Sequence, residues 1–228
     1  MFFALRLISP VAYGARAAIG KALATLALCL SAAIAQAEPL TVVALGDSLT
    51  AGYGLPEGDG FVPQLQAWLA AKGSDATLIN AGVSGDTSAG GLARLDWSLT
   101  PETDALIVAL GGNDLLRGLD PAVTRANLDA ILGEAAERDL PVLLIGLPGP
   151  GNFGPEYKTQ FDAIFPDLAT RYGTLMQPNF MAGLGATDPA ALRSLMQADG
   201  IHPNREGVAR IVAQLGPAVL DLLARAQP

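Results

Sequence analysis

Asp199 and His202 stand three residues apart in the stretch Asp199-Gly200-Ile201-His202-Pro203, and His202 is the only histidine among 228 residues. Any imidazole base in this chain is therefore this one. A carboxylate three residues before the ring can reach Nδ1. It would then fix the tautomer and leave Nε2 to take a proton from a hydroxyl. By itself a D-x-x-H is more often a histidine near a helix start beside a solvated carboxylate. What raises it above that reading lies upstream, in the loops that could bring a hydroxyl and hydrogen-bond donors to the ring.

Those loops are set by alternating strand and helix signals. The short apolar run at 40–45 reads as a strand buried on both faces, 77–79, 105–110 and 141–145 read as further strands, and 172–176 as a fifth, shorter one. Helical spacing appears between them at 61–71, 89–97, 121–138 and 156–171, and again in a final helix that starts at Pro203. Pro121 at a first helical position behind Asp120 is a strong helix start, whereas Pro217 is expected to bend or interrupt the last helix. Trp68 and Trp97 are assigned to core packing. This order implies an α/β fold, a mostly parallel sheet with helices on both faces, whose ligands sit at the carboxyl ends of the strands.

The residues following the first three strands are the informative ones. They are Gly46-Asp47-Ser48-Leu49, Asn80-Ala81-Gly82-Val83-Ser84-Gly85-Asp86-Thr87 and Gly111-Gly112-Asn113-Asp114. Ser48 would present its hydroxyl and its own N–H at a strand-to-helix turn. Gly82 would offer a backbone N–H where a side chain would block approach, and Asn113 a side-chain N–H. Three such donors can hold a developing oxyanion, and His202 would activate Ser48. Each has a plainer use. Ser48 could cap a helix, Asn113 and Gly82 could serve tight turns, Asp86 could cap the helix after it, and Asp47 is expected to hold loop backbone. None of these uses explains why all fall at one sheet edge beside the lone imidazole.

These blocks resemble those of the SGNH (GDSL) hydrolase family, in order, over about residues 40–215. Within it the chain is most similar to the secreted bacterial branch of thioesterase I, lysophospholipase L1 and arylesterase. The resemblance implies a three-layer α/β/α flavodoxin-like fold with five parallel strands. It implies Ser48 as nucleophile, His202 as base and Asp199 as its orienter. Ser48, Gly82 and Asn113 would form the oxyanion hole. No cofactor and no metal are expected, and the substrate is a small-molecule acyl ester or thioester. The same triad serves carbohydrate deacetylases and acyltransferases, and a non-catalytic ligand-binding module is the alternative of another class. The segments Leu115–Asp120 and Leu147–Tyr157 are expected to shape the acyl pocket.

Other motifs fail on chemistry. Gly149–Gly154 has dinucleotide-loop spacing, but Pro148, Pro150 and Pro155 remove N–H groups and no helix can open there. Gly46–Gly52 has the glycines of a phosphate loop with Tyr53 in place of the lysine. No G-x-S-x-G elbow is present.

Residues 1–37 read as a cleavable signal peptide: Arg6, Arg16 and Lys21 without an acidic residue, an apolar run from Ala22 to Ala35, then Ala35-Gln36-Ala37. The run is shorter than a spanning helix requires, and no later segment is expected to enter a bilayer. The expected organisation is a signal over 1–37 and one hydrolase domain over 38–228, in a monomer exported to the periplasm or medium. Cys29, the only cysteine, leaves with the signal. The net charge of −8 becomes more negative once the three basic residues are removed, which argues against nucleic-acid and polyanionic partners.

Overall fold

The computed structural model describes residues 38–185 and 188–227. The expected signal over 1–37 lies outside the described residues. Five strands form one parallel sheet in the order β2-β1-β3-β4-β5: β1 (Thr41–Gly46), β2 (Thr77–Gly82), β3 (Ala105–Ala109), β4 (Val142–Ile145) and β5 (Leu175–Gln177). The chain reverses direction of travel across the sheet between β1 and β3, the place where doubly wound sheets bind ligands.

Strand residues alternate between two cores. Val42, Ala44, Ala105 and Ile107 face one side, while Val43, Leu45, Leu106 and Val108 face the other. On the first side lie α2 (Phe61–Ala71) and α10 (Arg205–Ala226), which contribute Leu65, Leu69, Ile211, Leu215 and Leu222. On the second lie α6 (Pro121–Glu137) and α8 (Ile164–Tyr172), with Leu128, Ile131, Phe165 and Leu168. Both faces of β1, β3 and β4 being dry is why these strands read as apolar runs rather than alternating ones, whereas the edge strand β2 has no buried residue, Ile79 included, and β5 is half-buried.

Short helices fill the loops: α1 (Ser48–Ala51), α3 (Ser88–Ala93), α4 (Leu95–Ser98), α5 (Gly112–Leu116), α7 (Pro155–Asp162) and α9 (Pro189–Arg193). The helix expected over 156–171 is two, because Pro166 has no N–H to give the Asp162 carbonyl. The one expected over 89–97 is also two, α3 and α4. The fifth strand starts later than expected: Tyr172 ends α8, which Gly173 caps at φ +64°. Pro217 does not interrupt α10; burial of Leu215, Gly216, Ala218 and Val219 around it outweighs one lost hydrogen bond. By length and composition α10 is apolar enough to cross a bilayer, contrary to expectation, but its apolar side chains are spent on the core. Trp68 packs against the first core as expected. Trp97 does not: it is 93 % exposed, because the inward residue of the single turn α4 is Leu95.

Candidate active site

Ser48 is the first residue of α1, immediately beyond β1. Asp47 caps this turn, its Oδ1 accepting the Leu49 N–H at 3.0 Å. Ser48 is therefore not the cap, and its N–H has no acceptor among the described residues. Asp199 and His202 arrive on the loop before α10. Asp199 Oδ1 accepts the N–H groups of Ile201 (2.9 Å) and His202 (3.0 Å), which folds the loop so that Oδ2 meets His202 Nδ1 at 2.7 Å. His202 Nε2 then lies 2.8 Å from Ser48 Oγ, closing a gap of 154 residues. Hydrogen bonds from the imidazole and then from the two backbone N–H groups pull the Asp199 carboxyl down to about 2. Tyr53 lays its ring against the imidazole, 4.6 Å between centroids.

Asn113 stands in α5 beyond β3. Its Nδ2 donates to the Asp86 carbonyl at 2.9 Å, and a longer contact of 3.4 Å reaches Asp47 Oδ2. Asn113 thus touches both of the other loops. Gly82 does not occupy its expected place. β2 runs three residues further than the sequence indicates, and Gly82 is its last residue, paired with Gly46. Its N–H is taken by Asn80 Oδ1 at 2.9 Å, and a Cβ there would collide with the Ala51 backbone of α1. Gly82 is a glycine of close approach. The open donor of this loop is Gly85, with φ +86° and an N–H without an acceptor among the described residues. It precedes Asp86, whose carbonyl receives Asn113.

Two further groups brace the site. Arg94, at the junction of α3 and α4, ties the ends of β1 and β2 to the loop after β2. Its Nε binds Asp86 Oδ2 at 2.6 Å, Nη1 the Ala81 carbonyl at 2.7 Å and Nη2 the Gly46 carbonyl at 2.9 Å. Asp86 therefore pairs with Arg94 instead of capping α3, where Thr87 takes the capping place. Asp114, fully buried beside Asn113, accepts from Ser88 N (2.7 Å), Ser88 Oγ and Thr124 Oγ1 (3.1 Å). Asp47 is nearly as enclosed, 5 % exposed, and burial pushes its carboxyl up to about 6 despite the opposing Leu49 N–H.

Of the segments expected to shape an acyl pocket, Leu147 lines a cavity of about 20 Å³ with Leu49, Leu110, Ile145 and Phe180 beside Asp47. Residues 115–120 instead meet the other loop: Gly118 lies under the Phe153 ring and the Leu119 carbonyl accepts the Tyr157 hydroxyl at 2.9 Å. Among the described residues no cluster of three or more His, Cys, Asp or Glu is arranged to hold a metal ion.

A hydroxyl, an imidazole and a carboxylate joined in sequence at the carboxyl edge of a 2-1-3-4-5 parallel sheet are the parts of a serine hydrolase. Comparison with known proteins agrees: the chain belongs to the GDSL-like lipase/acylhydrolase family, whose pattern matches residues 44–210. It is 41 % identical over 189 residues to the esterase TesA of Pseudomonas aeruginosa, covering 82 % of this chain and 92 % of that protein. It is 38 % identical over 168 residues to thioesterase 1/protease 1/lysophospholipase L1 of Escherichia coli, covering 73 % and 76 %. The crystal structure of a psychrotrophic esterase, EstA from Pseudoalteromonas, inhibited by monoethylphosphonate, superposes with a TM-score of 0.73 at 33 % identity, covering 81 % and 98 %. The chain is a serine esterase of the SGNH type.

Proposed function

We propose that this esterase is exported and hydrolyses acyl esters, thioesters or lysophospholipids through an acyl-enzyme on Ser48. His202 Nε2 takes the Ser48 proton as Oγ attacks the carbonyl carbon. The carbonyl oxygen gains negative charge and draws N–H bonds from Ser48 and Asn113, with Gly85 as the remaining open donor. His202 then returns the proton to the leaving alkoxide or thiolate. Water, deprotonated by the same imidazole, attacks the acyl carbon and releases the acid and Ser48. Asp199, its carboxyl held down to about 2 by the imidazole and backbone N–H contacts, stabilises the imidazolium that forms twice in this cycle.

The observation that carries the reading is the unbroken line from Ser48 Oγ to Nε2 at 2.8 Å and from Nδ1 to Asp199 Oδ2 at 2.7 Å. The line is complete within one chain, which favours a monomer as the working unit. The breadth of acyl substrate follows the names of the relatives, and export follows the leader-like residues 1–37. Hydrolysis of p-nitrophenyl esters of increasing chain length tests the activity and its depth of pocket. Activity is expected across the series and absent in Ser48→Ala; a Ser48→Ala protein with undiminished turnover overturns the assignment.

A further inference from the structure

Exposed apolar side chains are not spread evenly over this protein. Among the described residues nine large ones are exposed, and five of them, Tyr53, Val83, Leu116, Phe153 and Ile201, follow the carboxyl ends of strands or sit in the histidine loop. Contacts join them around the site. Tyr53 lies on His202, and Ile201 precedes it. Val83 and Gly85 share a loop, and the Gly85 carbonyl accepts Arg117 Nη2 at 2.8 Å. Arg117 follows Leu116, and Gly118 lies under the Phe153 ring. The result is an apolar rim beside the Ser48–His202 pair, drawn from five segments of the chain, each presenting a side chain between 43 % and 64 % exposed. Apolar surface gathered in this way marks an interaction face.

From this juxtaposition we infer that the rim seats the enzyme on a zwitterionic lipid–water interface, such as a lysophospholipid micelle or a phosphatidylcholine surface. The inference deepens the esterase reading above and rests on it. Two observations select this occupant. Tyr53 and Ile201 flank the His202 that meets Ser48, so a surface lying on this rim comes beside the nucleophile and must itself deliver the acyl ester. A lipid surface does that, whereas a folded partner would close the site. The charge then chooses among lipids. The chain carries a net charge of −8. Arg117, beside Leu116, spends one N–H on the Gly85 carbonyl but keeps its positive charge, a single cation set against that excess of negative charge. Anionic headgroups would repel such a protein, and zwitterionic ones would not. Five partly exposed side chains give shallow, reversible seating rather than insertion.

The test uses the exported Ser48→Ala protein, from which the apolar leader over 1–37 has been removed, so that neither the leader nor hydrolysis confounds the readout, and measures co-flotation with phosphatidylcholine vesicles. Binding is expected to these vesicles and to be weaker to phosphatidylglycerol vesicles at low salt. Adding Leu116→Ser with Phe153→Ser is expected to weaken partitioning roughly tenfold or more, since two apolar contacts are lost. Leu116→Ser alone, at a 64 % exposed site that cannot unfold the protein, is expected to fall in between. Trp97→Ser removes the most exposed aromatic among the described residues, on the chain's approach to the amino end of β3, and is expected to change nothing. No flotation of Ser48→Ala, equal flotation of the rim variants, loss with Trp97→Ser, or preference for anionic vesicles overturns the inference. Hydrolysis of a soluble p-nitrophenyl ester by the unsubstituted enzyme decides the esterase reading separately.

Discussion

Replacing Asp47 by asparagine should make this protein more stable and less active, and the size of the first effect follows from the burial of the carboxylate. Enclosure raises Asp47 from 3.8 to about 6. Keeping a carboxylate so displaced ionised in the folded state costs about 3 kcal/mol at neutral pH, as an upper figure. The sign is fixed by linkage. The group supports the fold while protonated, below its unfolded value, and that support is lost as pH rises through about 6. An uncharged amide at this position keeps an oxygen for the Leu49 N–H and carries no such cost. The gain should therefore be complete above about pH 6, shrink as pH falls, and vanish below ~4. For a domain of this size it corresponds to a rise in melting temperature of roughly 6–12 °C at neutral pH. Activity should move the other way. With the introduced amide's oxygen on Leu49, its NH₂ faces the NH₂ of Asn113, across the 3.4 Å that in the unsubstituted protein is a donor–acceptor contact. Asn113 would be pushed from its place, lowering kcat by roughly ten- to a hundredfold, short of losing an oxyanion donor outright. Calorimetry over a pH series and ester kinetics on the same preparation read both effects. An unchanged or lower melting temperature at neutral pH, or a gain that persists undiminished in acid, refutes the reasoning.

Three other substitutions report on separate parts of the site. Asn113→Ala should lower kcat about a hundred- to a thousandfold with KM for short esters little changed, measured by steady-state kinetics. Arg94→Ala releases the Gly46 and Ala81 carbonyls and the Asp86 carboxylate together; kcat should fall by at least about tenfold, while Arg94→Lys, which can hold only part of this set, should recover part of it. Asp199→Asn should lower kcat through loss of the imidazole's orientation. Because hydrogen bonding holds the Asp199 carboxyl near 2, its contribution to stability is present above about 4 and lost only as pH falls through about 2, so acid melts of the variant and the unsubstituted enzyme should converge only there.

The loops that carry chemistry were legible because β1 and β3, buried on both faces, announce themselves as apolar runs, and β2 as a short strand beside them. Whatever polar residues follow such runs must then gather at one edge. Ser48 and Asn113 meet there for that reason, and Asp199 and His202 reach the same edge on the loop that precedes the last helix. Gly82 misled because Gly82-Val83-Ser84-Gly85 contains two glycines and residue type does not say where the strand ends. Pairing with β1 carries β2 on to Gly82, leaving Gly85 in the open turn. Arg94 and Asp114 were invisible for a different reason. Their partners come from separate elements, Gly46 and Ala81 at strand ends and Asp86 for Arg94, Ser88 and Thr124 for Asp114, and no local pattern encodes such a meeting. Asp114 offered one clue, an acidic residue beside Asn113 in an otherwise small, apolar setting. Trp97 and Pro217 show tertiary packing overruling residue type in both directions: a large aromatic left in water, and a proline carried inside a helix by the core around it.

The most direct test of the mechanism is covalent trapping of the nucleophile, by intact-protein and peptide mass spectrometry after exposure to a fluorophosphonate ester. One phosphonyl group is expected per chain, on the peptide carrying Ser48, with hydrolysis lost in proportion to labelling. His202→Ala should label far more slowly and Ser48→Ala not at all. Label on any other residue accompanying loss of activity, or a fully labelled Ser48 in an enzyme that still turns over, would contradict it.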